Sequence, residues 1–222
     1  MYRNEEIFIV GGGPSLKGFN FDCLTNRKTI AVNIAIFDIP NPDFFITVDY
    51  TFLSKLKKLY PAFTKKTCPK FFVADFSCPD LKEGDTCGNI EDVRCNIVYK
   101  LAPFDIIIKA RKAEGIGYSF KDFRTGKNSG FCALQLAVLL GYKKINLLGI
   151  DLGTTSDKSH YHDMYGGGSS FNDKLMMYYQ YFKTGILQLK KEHPEIEIKS
   201  YSKNSPLNLI VDYVALETLY VR

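Results

Sequence analysis

The sequence predicts an α/β protein: a Rossmann-like, doubly wound, mainly parallel sheet with helices on both faces, formed as one domain over residues 1–222. Short runs rich in β-branched and aromatic residues recur along the chain, separated by Gly, Pro and Asn punctuation and by stretches of helical period. Several of these runs are apolar at every position, as a strand covered on both faces must be. The first run ends directly in Gly11-Gly12-Gly13-Pro14-Ser15-Leu16, a turn that lets backbone N–H groups approach an anion at the start of a helix.

Taken in order, the expected strands are Glu6 to Val10, Lys28 to Asn33, Asp43 to Val48, Lys70 to Ala74, Cys95 to Lys100, Lys144 to Leu148 and Glu195 to Tyr201. From Ser129 the chain is apolar nearly all round until Gly141, which predicts a buried helix closed by a residue that tolerates the left-handed cap. A second helix is expected from Ser170, where Ser170-Phe171-Asn172-Asp173 resembles a capping box. Leu175, Tyr178, Phe182, Ile186 and Leu189 form its apolar stripe. Lys190, Lys191 and His193 suit the dipole at its C-terminal end, and Pro194 stops it. Irregular excursions are expected at residues 76–94 and 110–128. The second, with Lys121, Arg124 and Lys127, is a candidate wall for an anionic ligand.

Composition bounds the function. A 222-residue chain that is 45% hydrophobic and 24% charged is neither disordered, collagenous nor coiled-coil, and can bury a core without disulfides or a structural metal. The net charge of +5 carries no long basic block, which fits an anionic small molecule or a membrane surface rather than a nucleic-acid groove. The longest apolar run near the start, Ile7-Phe8-Ile9-Val10, follows Glu5 and Glu6; neither export by a leader nor a membrane span is expected. The six cysteines, Cys23, Cys68, Cys78, Cys87, Cys95 and Cys132, form no Cys-x-x-Cys pair. They are expected as reduced packing or loop thiols, zinc among the middle four being the alternative.

Chemistry-bearing residues gather where strands end. The glycine turn is not the dinucleotide fingerprint, because Leu16 replaces the third glycine and Asn33, in place of a carboxylate, ends the second strand. Asn33 can address a base or a sugar. Asp49 and Asp151 each follow a strand and are read either as ligand or metal contacts or as helix N-caps. Asn128-Ser129-Gly130 opens the buried helix, so its side chains and unpaired amides face one point; the segment is an anion site or a plain cap. In Ser159-His160-Tyr161-His162-Asp163-Met164-Tyr165, followed by three glycines, His160 or His162 can serve as a general base, with Tyr161 and Tyr165 donating to a phosphate. A His-x-His metal site and a plain polar loop are the alternatives. Tyr201 to Leu207 should reach the same edge.

At these residues the chain resembles the bacterial family 42 sialyltransferases and a broader set that includes flagellin glycosyltransferases and archaeal 6-hydroxymethylpterin diphosphokinase-like proteins. The resemblance lies in Val10-Gly-Gly-Gly-Pro-Ser-Leu16, Asn33, Thr47-Val48-Asp49, the run from Asn128 to Asp151, the histidine loop and Asn204-Ser205-Pro206-Leu207. It implies a metal-independent transferase that passes a sugar from a nucleotide-activated donor, a CMP-sugar, to a hydroxyl of a glycan or protein acceptor. Carried onto this chain, it nominates Gly12, Gly13, Ser15, Asn33, Ser129 and Gly130 for the nucleotide, Tyr161 or Tyr165 for the phosphate, and His160 or His162 as base. Asp49, Asn128 and Asp151 join the nucleotide set from their place at the ligand edge. The chain departs from the sialyltransferases in having Asp49 where they resemble one another in Asn, and in histidines that lie further from the following helix. Those departures resemble the diphosphokinase side, which implies Mg²⁺ between Asp49 and Asp151 and pyrophosphoryl transfer from ATP. A nucleotide-binding or assembly module without catalysis is the third reading. No nucleic-acid partner is expected, membrane contact is at most peripheral, and relatives that work on surface glycans make a homo-oligomer reasonable. The expected location is the cytoplasm, the inner face of the membrane included.

Overall fold

The computed structural model describes residues 5–49, 52, 59, 61–75, 104–153, 160–161 and 169–220, with the backbone alone at 169–173. Eight strands form one sheet, parallel at every pairing: β1 (Glu6–Val10), β2 (Lys28–Val32), β3 (Phe44–Thr47), β4 (Lys70–Asp75), β5 (Ile106–Ala110), β6 (Lys144–Leu148), β7 (Glu197–Ser200) and β8 (Asp212–Tyr213). The order across the sheet is β5-β4-β3-β2-β1-β6-β7-β8. The chain builds outward from β1 in one direction, then returns to β1's other side and builds outward again. The direction reverses between β1 and β6, and a crevice opens at the C-terminal ends of two parallel strands whose connections leave to opposite sides.

Alternate residues of each strand face opposite sides, and both sides are packed. Ile7 and Ile9 of β1, Ile30 and Val32 of β2, and Ile145 and Leu147 of β6 join one core layer. This layer is covered by α1 (Ser129–Leu139) and by Phe182, Ile186 and Leu189 of α2 (Ser169–Glu192). Phe8, Val10, Ala31, Phe45, Phe72 and Leu148 point the other way. They pack on 3-10 turns at Pro14–Leu16, Phe21–Leu24 and Asn33–Ile36 and on Phe52 and Phe63. Every residue from Ser129 to Ala137 is buried. That explains why its sequence is apolar all round: one flank meets the sheet and the other meets α2, where Phe131 and Phe182 lie edge to face at 5.4 Å.

The sheet corrects the sequence expectation in places. The second strand stops at Val32, one residue before the expected end, because Asn33 turns into the left-handed region at φ 53°. The third spans Phe44–Thr47 and the seventh Glu197–Ser200, each shorter than expected. Strands β5 and β8 were not expected. Ile106–Ala110 lies at the sheet edge with Ile106 and Lys109 exposed, so its pattern is broken, and a two-residue strand gives no period to read. The expected strand at Cys95 to Lys100, the excursion at 76–94 and the side chains of the Ser170 capping box lie outside the described residues. Short 3-10 turns stand where a crossover helix after β1 would be usual. Among the described residues no helix is long and apolar enough to cross a membrane.

Ala110 closes β5, and residues 111–128 carry a 3-10 turn at Phe120–Asp122 and a single bridge between Lys112 and Arg124, and are tied down. Gln188 of α2 accepts from the Ile116 amide at 2.9 Å and donates to its carbonyl at 3.3 Å, Tyr118 donates to Glu192 at 2.7 Å, and Gln135 of α1 accepts from Gly117 at 2.8 Å. Cys23, Cys68 and Cys132 are free thiols, the last two buried. Cys78, Cys87 and Cys95, the rest of the middle four with Cys68, lie outside the described residues.

Candidate functional site

An open cleft, about 540 Å³ when counted to its mouth, lies at the switch point between β1 and β6. It is lined by Gly11, Gly12, Gly13, Asn33, Asn128, Ser129, Gly130, the Gly149–Gly153 turn with Asp151, and His160. The glycine turn, the end of β2, the start of α1 and one histidine of the predicted loop therefore share one hollow. The described non-glycine residues with positive φ, Asn33 at 53°, Lys127 at 51° and Leu152 at 45°, line this cleft or directly adjoin a residue that does. Backbone held in that region costs free energy that the surrounding structure must supply, and such residues concentrate at binding sites.

The glycine turn is shaped by the turn beside it. Gly11 donates to the Leu148 carbonyl and Gly13 to the Gly149 carbonyl, each at 2.8 Å. A Cβ at position 13 would sit 2.5 Å from the Asp151 carboxyl carbon, so only glycine fits. The Asp151 carboxylate holds Ser15 twice, accepting from its amide at 2.7 Å and from its hydroxyl at 2.6 Å. The Ser15 hydroxyl also lies 3.2 Å from that of Ser202, and Ser205 donates to the Ile150 carbonyl at 3.0 Å. The segment after β7 thus reaches this edge as expected and braces the turns, although it does not line the cleft.

These bonds revise the picture of an anion cradle. The amides of Gly11, Gly13 and Ser15 already have acceptors. At the start of α1, Asn128 is the cap: its Oδ1 accepts from the Gly130 amide at 2.8 Å and the Phe131 amide at 3.2 Å. Gly12, Asn33 and Ser129, which line the cleft, keep donors that these bonds do not use: the Gly12 and Ser129 amides, the side-chain amide of Asn33 and the hydroxyl proton of Ser129. The Ser129 oxygen accepts from the Val48 amide at 3.1 Å, a bond that uses a lone pair and not the proton. These are donors of neutral groups on residues from three elements around one hollow, a chemistry that suits a phosphate or carbonyl oxygen.

Tyr161 points elsewhere. Its hydroxyl donates to Asp38 at 2.5 Å, its ring lies 5.8 Å from that of Phe21, and its amide donates to the Gly12 carbonyl at 3.0 Å. It thereby fixes its neighbour His160 at the cleft. His162 and Tyr165 lie outside the described residues. Asp49 does not line the cleft. Burial first and the Asp49 charge second push up the phenol of Tyr178 on α2. Asp151 is engaged by Ser15 through both of its carboxylate oxygens. Nor do the basic residues of 110–128 wall the cleft: Arg124 is held by Asp122 at 2.8 Å and the Glu114 carbonyl at 3.0 Å, and Lys127 by Asp75 at 3.1 Å. Thr47 and Ser202, bonded to Asn33 and Ser15, were read from sequence only as members of longer segments and given no role, because hydroxyls in strands and turns carry no local signal.

No family model matches the sequence, and no curated protein does. Among solved structures, the chain is similar to the sialyltransferase CstII from Campylobacter jejuni. With CstII bound to the substrate analogue CMP-3FNeuAc, the TM-score is 0.53 at 16% identity, over 94% of this chain and 86% of that one. With CstII bound to cytidine-5′-monophosphate it is 0.52 at 16% identity, over 95% and 85%. The likeness shows a shared, sialyltransferase-like α/β fold along nearly the whole of both chains.

Proposed function

We propose that the protein is a glycosyltransferase that takes a sugar from a CMP-activated donor and passes it to an acceptor hydroxyl. The observation that carries this is that Gly12, Asn33, Ser129 and His160, from separate parts of the chain, line one cleft. The likeness to a fold seen holding CMP and a CMP-sugar analogue supports the choice of donor. In this reading the acceptor oxygen forms a bond to the anomeric carbon while the bond from that carbon to the phosphate oxygen breaks. The proton of the acceptor hydroxyl passes to the imidazole of His160 or His162, and the CMP leaves against the neutral donors. Stabilising the departing phosphate is the larger contribution, and the base adds about 10²–10⁴-fold. His160 is favoured because it lines the cleft.

The test is thermal shift against CMP, CDP, UDP, GDP and ATP, each with and without Mg²⁺, followed by sugar transfer from a CMP-sugar. CMP at about a hundred times its dissociation constant should stabilise the fold by about 2.7 kcal/mol. His160→Ala should lose turnover and keep CMP binding, with His162→Ala as the paired control. A raised midpoint only with ATP and Mg²⁺ would overturn the reading, and unchanged turnover in both histidine variants would remove the base.

A further inference from the structure

We infer that Thr47 sets the hydrogen-bonding polarity of the cleft: by holding the carbonyl oxygen of Asn33, it leaves that residue only its NH₂ to offer a ligand, so this wall selects a group that accepts. Thr47 is fully buried on β3, fourteen residues away from Asn33 and on the adjacent strand. Its Oγ1 accepts from the Asp49 amide at 3.0 Å and lies 2.6 Å from Asn33 Oδ1. The amide hydrogen can only donate, so one lone pair of Thr47 is committed and its own proton must go to an acceptor. Turning the Asn33 amide over would make Thr47 accept twice and break the one bond that takes up its buried proton here. The distance of 2.6 Å is also that of an O–H···O bond rather than an N–H···O bond. Asn33 is held at φ 53° beside this bond, so both its backbone and its amide are fixed before any ligand arrives.

The consequence concerns the substrate. At the corresponding strand end of a dinucleotide site a carboxylate accepts from two ribose hydroxyls. Here the polarity is reversed, and Gly12 and Ser129 line the same hollow. The group seated against Asn33 must bring an acceptor, such as a phosphate, carboxylate or carbonyl oxygen. The identity of that ligand as the CMP-sugar donor rests on the function proposed above. The polarity itself does not.

The experiment has two readouts. In the free protein, NMR of the Asn33 side chain and of the buried Thr47 hydroxyl reports the orientation. The hydroxyl proton should be protected from exchange and the Asn33 NH₂ protons should exchange freely; protected NH₂ protons beside an unprotected hydroxyl would overturn the inference. Calorimetric titration with CMP then compares the wild type with Thr47→Val, Thr47→Ser, Asn33→Ala and the double variant of Thr47→Val with Asn33→Ala. Thr47→Val should weaken CMP about five- to tenfold, the size of one neutral hydrogen bond, and Thr47→Ser should restore it. The double variant should bind no worse than Asn33→Ala, because Thr47 acts through Asn33. Additive losses, or wild-type affinity in a folded Thr47→Val protein, would sink the inference. A wild type that binds no CMP sinks the proposed donor instead and leaves the NMR result to decide the polarity.

Discussion

Asp38 accepts the phenolic proton of Tyr161 at 2.5 Å, and the same tyrosine is bound through its amide to Gly12. In the proposed reaction Tyr161 then serves as a positioning residue for His160. Tyr161→Phe keeps the ring against Phe21 and removes only the bond to Asp38, which costs about 1 kcal/mol of stability. Sugar transfer should then fall in kcat with CMP affinity unchanged; initial rates and a CMP titration on one sample check both. Weaker CMP binding with kcat preserved would return Tyr161 to the phosphate. At this scale the sequence showed which residues reach the ligand edge but not what they hold. Asp151 could be read as following a strand, while its bond to Ser15, 136 positions away, could not. Asn33 was readable as a strand-end amide, yet its polarity depends on a threonine of the next strand. Long-range partners leave no trace in local pattern, so roles were the least legible part of the site.

At the scale of elements, the start of α1 separates two functions that the sequence left superposed. Asn128 is the helix cap, and it also lines the cleft. Asn128→Ala removes both capping bonds and should lower stability by about 1 kcal/mol, read from denaturant midpoints. Asn128→Asp keeps an acceptor for Gly130 and Phe131 and adds a charge that the helix dipole favours, so the fold should be at least as stable as the wild type. CMP should nevertheless bind more weakly to Asn128→Asp, since a carboxylate then stands beside the hollow; equal affinity would place the phosphate away from α1. Elements were legible where burial dictates pattern. The strands β1 to β4 and β6 are apolar on both faces, and α1 is apolar all round, because each is enclosed. The edge strand β5 and the two residues of β8 escape detection because half-exposed or very short strands impose no pattern.

For the whole molecule, the alternation of strands and helices announced a parallel sheet, whereas the order β5-β4-β3-β2-β1-β6-β7-β8 had no local signature. That order creates the site, because it sets the turns after β1 and β6 side by side and brings the start of α1 over them. The core under α1 is fully enclosed, so it is expected to be the last part to open. Cys132 sits there with 0% exposure, donates to the Thr125 carbonyl at 3.3 Å, and has its thiol pushed well up, by burial first. Thiolate is the reactive form, so a buried thiol with a raised pKa reacts only when the structure around it opens. Cys23 is only half-buried, although burial raises its thiol too. Iodoacetamide labelling followed by peptide mass spectrometry should therefore modify Cys23 in the native protein. Cys132 should be labelled only through global unfolding, with a rate that rises with urea at the slope of the equilibrium transition. Labelling of Cys132 that ignores urea would mean that α1 opens locally, and a cleft built on the start of α1 would then not be preorganised.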